Sequence, residues 1–326
     1  MKTVGIFRAG AYGDLMQASS VIKALKDQGY HTTLICAPPA DVIIRHDPNI
    51  DQIIEHDTSI PFEGLKDYWK ELSQVFDKWV NLSGSVEDVW LQLPGSPTYD
   101  WPVATRHKYF NRNYLRTQHE IAGVPYYPQI KFYPTPEERA WAYDQRLKYK
   151  AKKILCWCIA GSGIHKISPH INNFIANVLK LDNVEVVLLG TPQQRALASG
   201  LEGIDRVHFA TDWDIRKAYT FVQNYCDILV GPETGIMSAM SGELFKKIVL
   251  LSHSTKENLT EDWIQTTSIS ANLKGKDCCL HRLADTIDES NKVIYNDGKF
   301  AWHTSLCQSM IDPTEIWNAA LPVLKN

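Results

Sequence analysis

Three features that would narrow the function sharply are missing from this chain of 326 residues. The formal net charge is only -3, so no global attraction to nucleic acid or to anionic membranes is expected. No run approaches the roughly 18 apolar residues that a membrane helix needs, so we expect no stable membrane insertion. Strand-like residues 4–7 follow the first methionine closely, which leaves no room for a signal peptide and predicts a cytoplasmic protein.

Cysteines are few, seven in all, and four of them lie within apolar runs that resemble strands. These are Cys36, Cys156, Cys158 and Cys226, for which buried, reduced thiols are the expected state. The composition, with 44% hydrophobic and 22% charged residues, is that of an ordered globular protein. The length favours two domains of about 150 residues each.

Strand and helix patterns alternate along both halves of the chain, which predicts a doubly wound α/β fold in each half. The predicted strands span residues 3–8, 32–37, 52–56, 78–82, 154–159, 184–189, 207–210, 228–230 and 248–252. The predicted helices include residues 14–28, 169–181, 192–201 and 215–225. We predict domains at 1–150 and 151–326, with a connector helix at about 136–150 that begins near Pro136. Two such open sheets facing one another would enclose a deep cleft.

The stretch after the strand 228–230 has residues suited to an anion. Gly231-Pro232 ends the strand, and Glu233-Thr234-Gly235 precedes small and apolar residues that fit a buried helix. Free N–H groups in the first turn of a helix can hold a phosphate, and a glycine there permits close approach to the backbone. A simple helix cap by Glu233 or Thr234 is the alternative for this turn taken alone.

Two further strand ends in the second half have the same character. Gly161 and Ser162 follow one strand, and Lys166 could neutralise a phosphate as a point charge. Gly190-Thr191-Pro192 follows the next strand. Three such turns at the carboxyl ends of strands in one half favour a shared binding site.

In the first half, the loop 9–14 carries two glycines and opens onto a helix at Asp14. It lacks the spacing of the dinucleotide fingerprint and of the P-loop. Asp14 is either the cap of this helix or a carboxylate that faces the ligand cleft, and the two interpretations are compatible.

A locally basic segment interrupts the alternating pattern between residues 93 and 119. Arg106, Lys108, Arg112 and Arg116 are interleaved with aromatic residues. Such a patch could bind an acidic acceptor, a phosphate or nucleic acid, although a solvated surface is its commoner meaning.

Taken together, four of these motifs resemble those of the heptosyltransferase-like glycosyltransferases, also called glycosyltransferase family 9. They are Gly13-Asp14-Leu15-Met16, residues 161–166, Leu189-Gly190-Thr191-Pro192 and residues 233–238. The resemblance covers most of the chain. It implies the GT-B fold, two facing Rossmann-like domains, and inverting transfer of a sugar from a nucleotide donor such as an ADP- or UDP-sugar. It implies neither a cofactor nor a catalytic metal.

The same resemblance assigns a role to each matching residue. Asp14 corresponds to the general base, Lys166 to the lysine of the donor phosphate, and Thr234-Gly235 to the turn whose amides hold the diphosphate. The expected site comprises Gly161, Ser162, Lys166, Thr191, Glu233, Thr234 and Gly235 on the donor side, and Gly13, Arg106, Lys108 and Arg112 on the acceptor side. The expected acceptor is a glycan, a lipid-linked sugar or nucleic acid. The family usually has Asp in place of Glu233 and His in place of Ser238, which leaves the donor open.

Other possibilities stay open at the level of sequence. The chain could be a silent binding module of the same fold or a glycosyltransferase of modified nucleic acid, and Glu87 is a second candidate base. Asp214, within Asp212-Trp213-Asp214, is better explained as a helix start than as a metal motif. A structural zinc ion is a minority hypothesis for Cys278, Cys279, His281, His303 and Cys307. The last helix, 313–325, is expected to pack back on the N-terminal domain, as in GT-B proteins.

Overall fold

The computed structural model describes residues 1–86, 91–93, 95–273, 280–282, 292–296 and 301–325. Two parallel sheets account for ten of the described strands, which confirms the predicted α/β class. The first sheet contains β1 (Thr3–Phe7), β2 (His31–Cys36), β3 (Gln52–Glu55) and β4 (Lys78–Asn81). Its strand order is β3-β2-β1-β4, with parallel pairing throughout.

The second sheet contains β5 (Lys153–Cys158), β6 (Val184–Leu189), β7 (Val207–Ala210), β8 (Ile228–Pro232), β9 (Lys246–Leu250) and β10 (Thr266–Ile269). Read from its far edge, the order is β7-β6-β5-β8-β9-β10, and all neighbours are parallel. This is the strand order of the Rossmann fold, in which the direction of winding reverses between β5 and β8. The first sheet has the same start, with its reversal between β1 and β4. A separate antiparallel pair joins β11 (Lys292–Asn296) and β12 (Ala301–Ser305).

Ten α-helices lie between and after these strands in the described parts of the chain. They are α1 (Tyr12–Asp27), α2 (Leu65–Ser73), α3 (Val103–Phe110), α4 (Tyr114–Ala122), α5 (Pro136–Arg146), α6 (Ile171–Val178), α7 (Ile215–Tyr225), α8 (Gly235–Ala239), α9 (Leu306–Ser309) and α10 (Pro313–Lys325). None of the described helices has both the length and the apolar character needed to cross a membrane.

Helix α1 shows how the sequence pattern produces the packing. Leu15, Ala18, Ile22 and Leu25 recur at helical spacing, and all four side chains are fully buried. They belong to one continuous apolar core that includes first-sheet residues and also Tyr219 and Met237 of the second half. The two halves are therefore joined by a shared core along one face of the second sheet.

The predicted connector helix is α5, whose capping box uses Thr135 and Glu138. It packs against α7 of the second half, where the rings of Trp141 and Trp213 are perpendicular at 4.9 Å between centroids. The connector thus contributes to the contact between the halves.

The last helix, α10, corrects one prediction. Its apolar residues Ile316, Ala320 and Leu324 are fully buried in a second core on the opposite face of the second sheet. Its main contacts are with α6, β8, β9 and β10, and not with the first domain as expected. The apolar stripe of α10 is thus buried in the core of its own domain.

Two smaller differences concern local geometry. The predicted helix 192–201 is a 3-10 helix with a kink at Ala198. The sequence patterns did not predict β10 or the β11–β12 pair. The expectation of buried, reduced thiols is confirmed for Cys36, Cys156, Cys158 and Cys226.

Candidate active site

The predicted binding turns follow β1, β5, β6 and β8, at the carboxyl ends of the strands. The turns after β5 and β8 flank the point where the winding of the second sheet reverses, which is where ligands bind in open α/β sheets. The loop after β1 lies beside the corresponding reversal of the first sheet. The fold therefore places the predicted donor-side turns, which follow β5, β6 and β8, at the edge of the sheet where the Rossmann topology forms a crevice.

Helices α1 and α8 join the two crevices, because their first residues touch across the domain boundary. A Cβ atom added to Gly13 would lie 3.4 Å from the Cα atom of Gly235. A Cβ atom added to Gly235 would lie 2.8 Å from the hydroxyl of Tyr219 and 3.1 Å from the amide nitrogen of Gly13. Both glycines thus permit close packing of the two helices, which is a role that the sequence did not indicate.

Asp14 is the third residue of α1 rather than its cap, which is Ala11. One carboxylate oxygen, Oδ1, lies 2.7 Å from the guanidinium of Arg8, and the other, Oδ2, accepts the backbone N–H of Ala11 at 2.8 Å. Arg8 is buried, whereas a quarter of the Asp14 side chain is exposed. The carboxylate is therefore held in one orientation, and part of it stays exposed to solvent. Asp14 is therefore not the N-cap residue of α1. Its side chain instead accepts the backbone N–H of the N-cap residue, Ala11.

The turn after β5 is closed by two backbone bonds between its ends. Gly161 donates its N–H to the carbonyl of Lys166 at 2.9 Å, and Lys166 donates to the carbonyl of Gly163 at 2.8 Å. A Cβ atom at Gly161 would meet the Lys166 side chain at 2.6 Å, so this side chain lies directly over the glycine. Within the described residues, the Lys166 ammonium group donates no hydrogen bond and forms no ion pair. It remains available to an anion.

The turn after β6 is attached to this one. The Gln194 side chain donates to the carbonyl of Gly161 at 3.3 Å. Thr191 caps the following 3-10 helix by accepting the N–H of Gln194 at 3.4 Å. Thr191 and Ser162 are both exposed, so their hydroxyl groups lie at the surface of the crevice.

The turn after β8 places Glu233 and Thr234 differently. Glu233 is buried, and its Oε1 accepts the N–H of Ser252 at 3.2 Å and also the Ser252 hydroxyl. Thr234 is the cap residue of α8, but its side chain makes no capping bond. Its hydroxyl oxygen is buried and has no hydrogen-bond partner among the described residues. Burial raises the pKa of the nearby Cys158 thiol to about 12. Helix α8 therefore begins without a side-chain cap.

Three histidines surround Glu233. None of them was assigned to the donor or acceptor site from the sequence, where His281 was named only as a possible zinc ligand. The rings of His165 and His253 pack edge to face, with centroids 4.9 Å apart, and the Nδ1 atom of His281 accepts the side-chain amide of Asn258 at 3.0 Å. Burial lowers the pKa of His165 to about 3 and that of His281 to about 4, and it lowers the pKa of His253 well below its usual value. All three rings are therefore neutral near pH 7, so the 3.3 Å contact of His253 with Glu233 is not an ion pair.

The cluster escaped sequence reasoning because its members come from three distant segments. His165 is within a recognised turn, but nothing in the sequence links it to His253 after β9 or to His281. Lys166 contributes to the lowered pKa of both His165 and His253, which places its charge close to this cluster. The lysine and the histidines thus belong to one side of the crevice.

The basic segment does not form a single open patch. Arg106 is fully buried and donates to the carbonyls of Leu280 and Trp101, so its predicted acceptor role is replaced by a structural one. Arg112 lies 2.7 Å from Glu120, which compensates its charge. Lys108 lies 5.2 Å from the centroid of the Tyr109 ring. The sequence pattern showed the charge of Arg106. It did not show that Arg106 is buried or that it donates to the carbonyl of the distant Leu280.

Asp214 caps α7 by accepting the N–H groups of Arg216 and Lys217 at 3.0 and 3.2 Å, which agrees with the helix-start hypothesis. Glu87, Cys278 and Cys279 lie outside the described residues. Over the part of the chain that the structure does describe, no group of three or more His, Cys, Asp or Glu residues is arranged to hold a metal ion.

These features define a fold of two Rossmann-like domains that meet at a shared crevice, as in the GT-B glycosyltransferases. Solved structures with this fold match nearly the whole chain. The glycosyltransferase family 9 protein from Veillonella parvula has 14% identity and a TM-score of 0.66, with 99% of this chain and 97% of that chain covered. The ADP-heptose lipopolysaccharide heptosyltransferase II of E. coli has 13% identity and a TM-score of 0.63, with 100% and 99% covered.

A third similar structure is the E. coli heptosyltransferase WaaC with ADP, at 13% identity and a TM-score of 0.52, with 82% of this chain and 91% of that chain covered. No protein-family model matches the sequence, and no curated protein matches it. The resemblance noted in the sequence is thus matched by the structural neighbours. At these identities, the likeness defines the fold.

Proposed function

We propose that this protein is a glycosyltransferase that moves a heptose or hexose-like sugar from a nucleotide-diphosphate donor to an acceptor hydroxyl. One observation carries the proposal: Gly13, next to Asp14, contacts Gly235, next to Thr234, across the boundary between the two domains. In addition, the charge of Lys166 acts on His253, which lies 3.3 Å from Glu233 of the Thr234 turn. A base from one domain thus faces an anion site of the other. That is the arrangement a displacement between donor and acceptor requires.

The proposed reaction inverts the anomeric carbon in one displacement. The acceptor oxygen attacks that carbon while Asp14 accepts the hydroxyl proton, and the bond to the nucleoside diphosphate breaks. The electron pair leaves with the diphosphate, whose negative charge is stabilised by the Lys166 ammonium group and by the first amides of α8. These groups supply the stabilisation without a metal ion, and no cofactor takes part.

The contacts of Asp14 are compatible with this role. Arg8 and the Ala11 amide each occupy one carboxylate oxygen, but each oxygen has a further lone pair. The two bonds fix the direction in which the open side of the carboxylate faces. Such fixed geometry is what a general base requires, because proton transfer depends on hydrogen-bond distance to the acceptor hydroxyl.

An ADP- or UDP-sugar is the proposed donor, and ADP is the first choice. The similar structures include E. coli WaaC with ADP and with ADP-2-deoxy-2-fluoro heptose. A glycan or a lipid-linked sugar is the proposed acceptor. The burial of Arg106 and the pairing of Arg112 with Glu120 leave fewer exposed cations for phosphate contacts, which disfavours a nucleic-acid acceptor.

A nucleotide-sugar-binding module without turnover is the second candidate. The observation in its favour is that both oxygens of Asp14 are hydrogen-bonded, and that Glu233, the residue that departs from the family pattern, is buried against Ser252. Such a module would bind donors equally well. Transfer or donor hydrolysis therefore distinguishes the two candidates, whereas binding does not.

Lys166→Ala provides the first test. Calorimetric titration with ADP, UDP, GDP and CDP would identify the nucleotide, and donor hydrolysis and transfer would then be followed with its sugar conjugates. We expect Lys166→Ala to weaken nucleotide binding and to slow transfer by about 10²–10³-fold, the usual effect of losing one transition-state stabiliser. The matched control is Lys152→Ala, an exposed lysine at the opposite end of β5.

Three outcomes are informative. Weaker binding and slower transfer in Lys166→Ala alone would support the enzyme. Binding that depends on Lys166, with no hydrolysis or transfer, would support the silent module. Nucleotide binding that is equal in wild type and both variants would remove Lys166 from the site.

A further inference from the structure

A second cavity lies on the seam between the halves, away from the candidate active site. Its volume is about 290 Å³, and Ser19, Lys23 and Asp47 of the first half and Gly242 of the second half contribute to its lining. Lys23 is nine residues after Asp14 on α1, which corresponds to about 13 Å along the helix axis. The cavity therefore opens at the other end of α1.

The surrounding loops confirm that this is the amino-terminal edge of the first sheet. The carbonyl of Asn49, another lining residue, accepts the hydroxyl of Thr32 near the start of β2. The candidate active site lies at the carboxyl ends of the same strands. A ligand in this cavity would thus contact both halves without touching the donor site.

Asp47 is the most unusual residue of the cavity. It is 5% exposed, and its Oδ1 accepts both the backbone N–H and the side-chain amide of Asn49, at 2.9 and 2.7 Å. Its Oδ2 is buried and has no hydrogen-bond partner. A buried acceptor left unsatisfied is costly and uncommon in folded proteins. Burial raises the pKa of this carboxyl group to about 6, which is the expected effect of that missing partner.

The other polar groups of the cavity limit which kind of ligand could donate a hydrogen bond to Asp47 Oδ2. Lys23 lies 2.7 Å from Asp27 and also acts on Asp47 through its charge, so a second ammonium group nearby is disfavoured. Glu243 accepts the Gln223 side chain at 2.8 Å. Anions would be repelled by Asp47. What remains is a neutral ligand that donates hydroxyl groups.

Two tyrosines complete the lining. The Tyr133 hydroxyl lies 3.4 Å from the Asn49 amide, and the Tyr127 hydroxyl lies 2.9 Å from the side chain of Gln129. Aromatic rings beside a carboxylate and an amide offer a sugar ring both a flat surface and hydrogen bonds. The cavity is near the lower limit of small-molecule sites in size.

We propose that this cavity is a binding site for a neutral, polyhydroxylated ring of monosaccharide size, held by Asp47 Oδ2 and by the Tyr127 ring. The site bridges the two halves, so its occupation stabilises their relative placement. The proposal stands on the cavity and its lining. It does not depend on the proposed transfer reaction.

Saturation-transfer NMR at pH 7.5 tests the site with D-glucose, D-mannose and myo-inositol as probes. Ethanolamine and methyl phosphate, which both carry non-exchangeable protons, serve as the cationic and the anionic probe. We expect signals from at least one polyol, and no signal from ethanolamine or methyl phosphate that changes in Asp47→Asn. Asp47→Asn keeps the acceptor for Asn49 but replaces Oδ2, and we expect it to lower polyol affinity about tenfold or more, since hydrogen bonds to charged groups are strong.

Tyr127→Ala provides a second variant that leaves the buried carboxyl group intact, and we expect it to weaken the same signals. Tyr143→Ala is its matched control, because Tyr143 is 53% exposed on α5. Lys166→Ala separates this cavity from the donor site and should leave polyol binding unchanged. No polyol signal in the wild type, equal signals in all four variants, or signals lost only in Lys166→Ala would each overturn the proposal.

Discussion

Arg216 is the residue through which the structure predicts the largest effect on stability. It is buried at the start of α7 and donates to five acceptors from three other segments. Two are the carboxylate oxygens of Glu138, at 2.6 and 2.9 Å. The others are the carbonyls of Val42, Ile43 and Tyr133, at 3.1, 3.0 and 2.7 Å. One guanidinium therefore ties the first domain and the connector to the second domain.

Arg216→Met removes all five bonds and leaves a largely buried carboxylate without its partner. Breaking a buried ion pair by removing one side destabilises a protein by about 3–5 kcal/mol, and the three unpaired carbonyls act in the same direction. We expect a loss in this range. The measurement is urea unfolding followed by tryptophan fluorescence, which reports on Trp141 and Trp213 beside this contact.

The design includes a variant that isolates the charge. Glu138→Gln keeps the oxygen that accepts the Thr135 N–H at 2.8 Å but removes the negative charge. We therefore expect Arg216→Met/Glu138→Gln to be more stable than Arg216→Met alone, because no unpaired charge remains. A loss below about 1 kcal/mol for Arg216→Met would refute the assignment. A double variant less stable than the single one would refute the account of the charge.

Two further predictions concern helix packing and pH. Gly235→Ala should separate α1 from α8, because its Cβ atom would lie 3.1 Å from the amide nitrogen of Gly13 on α1 and 2.8 Å from the Tyr219 hydroxyl. We expect a lower melting temperature together with slower transfer. The control is Gly64→Ala, because Gly64 has an ordinary φ of -84° and its added Cβ atom would lie no closer than 3.4 Å to a neighbouring atom. His281, whose pKa burial lowers from 6.5 to about 4, binds its proton more weakly in the folded than in the unfolded state. Its contribution to stability is present above pH 6.5 and is lost as the pH falls towards 4, so His281→Gln should reduce the slope of stability against pH by about 1.4 kcal/mol per unit in that window. Urea unfolding at several pH values measures this slope, and an unchanged slope would contradict the neutral, buried assignment.

The fold was predictable from sequence because buried parallel strands appear as short apolar runs between helical repeats. The run 228–230 and the turn after it illustrate this, since both β8 and the start of α8 lie where they were expected. The apolar stripe of α10 predicted burial, but a stripe does not identify the surface that covers it. The choice between the two domains was therefore wrong.

The site was predictable only where its residues occupy strand ends. Asp14, Lys166 and Thr234 follow strands, and the topology brings strand ends together. Contacts between distant segments leave no local signal: Arg216 and Glu138 are 78 residues apart, and His253 approaches His165 from another strand. Arg106 resembled a ligand-binding residue because its charge is visible in sequence, whereas its carbonyl partners are not.

Asp14→Asn is the variant that tests the central claim most directly. Transfer rate, donor affinity and melting temperature are measured beside the wild type once the nucleotide donor is known. Asn keeps an oxygen for the Ala11 amide, but it cannot accept a proton from the acceptor hydroxyl. The account predicts that transfer falls by about two orders of magnitude or more while donor affinity changes little. Near-normal transfer in Asp14→Asn would contradict it.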